Sequence, residues 1–153
     1  MSAPTRTAGF TLVELLVVLA ILGIIMGLFG WNLLRGLRQQ ELREAASQLA
    51  GDLRRSREDA QRTGQDSTVT LAAAKTTYSV TTGPATPRVV EVPHRVLVTP
   101  VQGGASVTYH PPFGTLGAQG AVWEVQSPAA DDLRLYVKVV GITGKVMVSA
   151  AQD

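Results

Sequence analysis

The chain has 153 residues, no cysteine, and 14 basic against 12 acidic residues. Without cysteine, disulfides and thiolate metal centres are excluded, so an exported domain must hold together by packing and hydrogen bonds. A net charge of +2 does not by itself call for nucleic acid, and His94 and His110 are too few to suggest a metal site.

The first stretch, Met1–Gly9, is short and polar, with Arg6 as its one charge. From Phe10 to Leu34 the chain is apolar, and Glu14 is the single charged residue inside it. As a helix this segment would be roughly 37 Å long, enough to cross a hydrocarbon core. A carboxylate in lipid is costly, so Glu14 is a functional candidate by default. A secretory signal peptide fits poorly, because no Ala-x-Ala site follows the apolar run. Gly23-x-x-x-Gly27 offers a place where helices could approach closely; the plainer reading is that glycine is common in membrane helices. Arg35, Arg38 and Arg43 follow the span, and the positive-inside rule alone would put that side in the cytoplasm.

The helical period continues to about Arg62. Leu42, Ala45, Ala46, Leu49, Leu53, Ser56 and Ala60 recur every three or four residues and define one apolar face. The other faces carry Arg43, Glu44, Asp52, Arg54, Arg55, Arg57, Glu58, Asp59 and Arg62, with Glu58–Arg62 and Arg55–Asp59 as i,i+4 pairs. Gly64 is placed to cap the helix.

Beyond it the period changes to two. Strands are expected at Ser67–Ala72, Thr76–Thr82, Arg88–Val92, Arg95–Thr99, Ser106–Tyr109, Ala121–Gln126, Leu133–Val140 and Lys145–Ser149. Ala73–Lys75, Gly103-Gly104, Asp131-Asp132 and Gly141–Gly144 mark turns, and His110–Gly120 is a loop rich in Pro and Gly. The plan is α+β: a long N-terminal helix, transmembrane then amphipathic, laid on a mainly antiparallel β-sheet head. Four parts follow: leader 1–9, membrane segment 10–34, amphipathic helix 35–64 and β-rich head 65–153. No enzymatic signature emerges. Gly114-x-x-Gly117-x-x-Gly120 lacks both P-loop and dinucleotide spacing, and no Gly-x-Ser-x-Gly elbow occurs. No cofactor is expected. Trp31 sits where an aromatic belt would lie, and Trp123 reads as core.

Gly9-Phe10-Thr11-Leu12-Val13-Glu14-Leu15, followed by the apolar run, closely resembles the type IV prepilin signature. The resemblance implies cleavage after Gly9 by a prepilin peptidase, N-methylation of the new Phe10 amine and assembly with other pilins or pseudopilins into a filament. It implies the type IV pilin fold, a single pass through the inner membrane, the leader in the cytoplasm and the head in the periplasm or outside. That orientation opposes the arginine count, and the peptidase site is the stronger constraint. In a neighbour or in the same chain, Glu14 would pair with the Phe10 amine.

Ala45–Gln65, with Arg55-Ser56-Arg57-Glu58-Asp59-Ala60, resembles the helix end of GspH/FimT-type minor pilins. Tyr109-His110-Pro111-Pro112-Phe113-Gly114-Thr115 and Ile142-Thr143-Gly144-Lys145-Val146 resemble that family's late turn and final strand. The expected role is therefore a minor pilin or type II secretion pseudopilin, an assembly subunit rather than an enzyme. One alternative is a DNA-uptake minor pilin contacting DNA through Lys138, Lys145 and Arg134; another is a major pilin. Acids interleave with the helix arginines, which favours a solvated, salt-bridged face over a DNA-binding one.

Overall fold

The computed structural model describes residues 10–73 and 75–152, the side chains at 28, 29 and 31 excepted. The leader, Gly9 included, lies outside the described residues, as does the side chain of Trp31. The chain divides into two compact units, Met1–Leu37 and Arg38–Asp153. Helix α1 runs Leu12–Thr63.

Up to residue 27 every described residue is exposed. This part of α1 is long and apolar enough to cross a membrane, and within the single chain its side chains bury nothing.

In the second unit the helix becomes one-sided. Leu42, Ala45, Ala46, Leu49, Ala50, Leu53, Ser56 and Ala60 are all buried, at the three- and four-residue spacing of a single face. Most of them are small. Gly64 ends the helix in the left-handed region at φ +68°, and its N–H donates to the Ala60 carbonyl at 3.1 Å, the bond that closes a glycine C-cap.

Among the described residues eight strands follow: β1 Ser67–Leu71, β2 Thr77–Thr82, β3 Arg88–Glu91, β4 Leu97–Gln102, β5 Ser106–Tyr109, β6 Ala121–Ser127, β7 Ala130–Val139 and β8 Val146–Ser149. The single sheet expected from the sequence is two four-stranded sheets, ordered β3-β2-β1-β5 and β4-β6-β7-β8. All pairings are antiparallel.

Two boundaries differ from expectation for local reasons. Pro93–Arg95 forms a 3-10 turn instead of opening a strand, with His94 at φ 56° and Arg95 at φ 53°; both lie outside the extended region a ladder needs. The turn placed at Asp131-Asp132 occurs at Pro128-Ala129, and both aspartates belong to β7. Proline cannot serve a central ladder, so it takes the turn.

The core lies between the helix face and the inner sides of the sheets. Val69, Tyr78, Val107 and Tyr109 enter it from the first sheet; Trp123, Val125, Val137 and Val146 enter from the second. Trp123 is fully buried and its Nε1–H donates to the Gly104 carbonyl at 2.9 Å, so the indole is packed and satisfied at once. On the outer side of the first sheet, Thr68–Thr108 and Thr70–Ser106 hydroxyl pairs each close at 3.0 Å, cross-strand pairs that fix register. Among the described residues, every buried apolar side chain falls between Leu42 and Val146, within the second unit.

Candidate functional site

Thr11 precedes the helix, and its Oγ1 accepts the Glu14 backbone N–H at 3.3 Å. Thr11-Leu12-Val13-Glu14 therefore has the spacing of a capping box, with Glu14 at the third helical position. Its negative charge also suits the positive end of the helix dipole. This local role was legible from Thr-x-x-Glu but was obscured by the apolar run around it. Phe10 is exposed just ahead of the cap. Gly23 and Gly27 each face open space, where an added Cβ would meet nothing. Nothing within one chain requires glycine at either position.

The candidate basic residues of the head lie in two settings. Arg134 and Lys138 are on β7, paired across the second sheet with Gln126 and Val122, on the side opposite buried Trp123 and Val137. Arg134 reaches Glu124 at 3.7 Å and donates its Nε–H to the Asp131 carbonyl at 3.0 Å. Tyr136, between them, donates its hydroxyl to Glu124 at 3.1 Å. Lys145 stands just before β8 and lines a crevice of about 540 Å³ with Arg54, Arg57, Glu58 and Gln61 of α1 and with Gly144 and Val146. Arg54 spans this crevice, its Nη2 donating to the Val146 carbonyl at 3.4 Å. The sequence reading placed Arg54 and Arg57 on the helix surface but did not bring them beside Lys145. That juxtaposition comes from tertiary packing and has no signal along the chain.

Asp52, expected among the exposed charges, is 5% exposed. Its carboxylate accepts the Tyr78 hydroxyl at 2.5 Å and lies 3.6 Å from both Arg55 and Arg88. A buried carboxylate needs such partners. Burial first, and then this hydrogen bond, push the Tyr78 phenol well above its ordinary range. The helix ion pairs also differ from expectation. Arg55 pairs with Asp52 and Arg62 with Asp59, the latter at 3.1 Å, both one turn back at i,i+3. The pull of the buried Asp52 explains the first. His110, expected as a turn residue, leaves β5 and its Nδ1 lies 2.9 Å from Asp66. Among the described residues, no three acids or histidines gather into a metal site.

The prokaryotic N-terminal methylation motif matches residues 4–30 of the chain. The N-terminus is that of a type IV prepilin-like chain. Two crystal forms of the type IV minor pilin FimU of Pseudomonas aeruginosa PAO1 share its fold. One gives a TM-score of 0.60 at 16% identity, covering 72% of this chain and 89% of FimU. The other gives 0.57 at 16%, covering 70% and 91%. No curated protein matches the sequence. At such identity the likeness carries the fold alone: the prepilin-like chain has the type IV pilin fold, a long N-terminal helix packed on antiparallel sheets.

Proposed function

We propose that the chain is a minor subunit of a type IV pilus or a type II secretion pseudopilus, of the GspH/FimT kind. The observation that carries this reading is the methylation motif at residues 4–30 on a helix whose second half packs on the sheets of a minor-pilin fold. In this reading the parts are the leader 1–9, the membrane segment 10–34, the amphipathic helix 35–64 and the head 65–153. A prepilin peptidase cuts after Gly9, where the absence of a side chain allows close approach to the backbone. The new Phe10 amine is methylated. It meets the Glu14 carboxylate of the same or a neighbouring chain, and in lipid the two opposite charges are poorly screened. Gly23 and Gly27 provide flat patches for neighbouring helices, consistent with the open space both face. The membrane anchor is the inner membrane, with the head outside the cytoplasm. The chain works by assembly and not by catalysis.

The test is filament composition. Filaments sheared from cells carrying an epitope-tagged copy should contain the mature chain in low proportion to a major subunit. A Gly9→Val copy should keep its leader by mass and be missing from the filaments. Complete processing of Gly9→Val, or absence of the wild-type chain from every filament fraction, would sink the reading.

A further inference from the structure

The crevice between α1 and the start of β8 holds a buried donor with no acceptor, the Nε–H of Arg57. Arg54, Arg57 and Lys145 line it against a single acid, Glu58. The Arg57 Nε is buried and has no hydrogen-bond partner. The residue's stem is held from above by the His110–Thr115 loop: a Cβ on Gly114 would lie 2.6 Å from Arg57 Cγ, and Gln61 donates to the Phe113 carbonyl at 2.7 Å. Behind the crevice wall, the ring of Tyr109 lies against Gly144, where an added Cβ would be 3.0 Å from its Cε1. Tyr109 is fully buried and its hydroxyl is unpartnered too. Buried polar groups are nearly always satisfied, and an orphaned donor calls for an acceptor. Burial raises the Tyr109 phenol above its ordinary range while the Arg57 charge pulls it back, so the two groups feel one another. Lys145 and Arg54 are both exposed at the mouth.

We propose that this crevice is a docking site for a carboxylate side chain, an aspartate or glutamate carried by another protein chain, received by Arg57 with Arg54 and Lys145 at the rim. Charge complementarity favours an anion, since three cations face one acid. The depth of the donor favours a carboxylate over a nucleic-acid phosphate. A phosphodiester is flanked by sugars on both sides and stays at a surface, whereas a carboxylate on a short flexible stem reaches a buried N–H. The guanidinium fork also matches carboxylate geometry. That the donor chain is a neighbouring filament subunit rests on the function proposed above; the crevice chemistry does not.

The experiment is NMR of the arginine Nε–H resonances of the full chain in maltoside micelles. It is titrated with a blocked Gly-Glu-Gly peptide, its Gly-Gln-Gly counterpart and a short DNA duplex. The Glu peptide should shift the Arg57 resonance saturably at millimolar concentration, and the Gln peptide should not. Lys145→Glu should weaken the response at least about tenfold, since loss of a charge-assisted contact is worth roughly one such factor. Lys145 is exposed, so that variant should fold; Arg57→Lys, which keeps the packed stem but removes the buried N–H, should abolish the peptide-dependent shift of the neighbouring Arg54 resonance. No saturable shift, an equal response to the Gln peptide, or a shift with DNA at lower concentration than with the Glu peptide would each overturn the proposal. A silent Arg57 leaves the subunit reading standing, and absence from filaments leaves the site standing.

Discussion

Two carboxylates show how different environments give one residue type different work. Asp52 is buried with Tyr78, Arg55 and Arg88 around it. Removing it strands a buried hydroxyl and leaves two arginines without their common partner. Asp52→Ala should destabilise the protein by about 2–4 kcal/mol, and Tyr78→Phe by about 1–3 kcal/mol, read from urea unfolding midpoints. Tyr109→Phe should be neutral or mildly stabilising, because the hydroxyl it removes has no partner. If Asp52→Ala unfolds at the wild-type midpoint, the network is incidental. Glu14 has two candidate roles, helix cap and intramembrane charge, and Glu14→Gln separates them. Glutamine can serve the same position in a capping box, so the helical circular dichroism should be unchanged. The charge is gone, and with a pairing worth about 2–3 kcal/mol in lipid, incorporation into filaments should fall at least tenfold. Normal incorporation of the glutamine variant would reduce Glu14 to a cap.

At the scale of elements, what the sequence conveyed was what local periodicity encodes. The helix face from Leu42 to Ala60, the cap at Gly64 and the strand Ser106–Tyr109 appear where their spacing puts them. Alternation says which side of a strand is buried but not which strands pair, so one sheet was expected where two form. Asp52 escaped for a similar reason. It stands beside the apolar stripe, and a charge on a helix reads as solvated until a tyrosine from another element covers it. The Arg54–Arg57–Lys145 crevice was illegible because its parts are brought together only by folding. The small residues of the stripe carry their own prediction. Ala46 is fully buried where the helix sits on the sheets, so Ala46→Leu overpacks that contact and should cost about 1–3 kcal/mol, measured by urea unfolding. An unchanged midpoint would mean that the helix can lift away from the sheets freely.

At the scale of the whole molecule, the absence of disulfides leaves stability to packing and to buried polar groups, and two of those groups are phenols. Tyr78 and Tyr109 are held in neutral form by burial, with the Asp52 hydrogen bond adding to the effect at Tyr78. In the unfolded chain both titrate near 10.0. Above that pH the unfolded state loses these protons while the folded state keeps them, so the unfolded state binds fewer protons and stability falls as pH rises. Below pH 10 their contribution is fully present. The slope should approach about 1.4 kcal/mol per pH unit for each tyrosine. Unfolding of the full chain in maltoside, followed by circular dichroism from pH 8 to 11.5, should show a melting temperature that holds to about pH 10 and then drops. The Tyr78→Phe, Tyr109→Phe double variant should begin less stable through Asp52 yet lose less on the alkaline side. The two curves therefore converge as pH rises. Parallel curves would mean that the phenols ionise as readily in the fold as out of it.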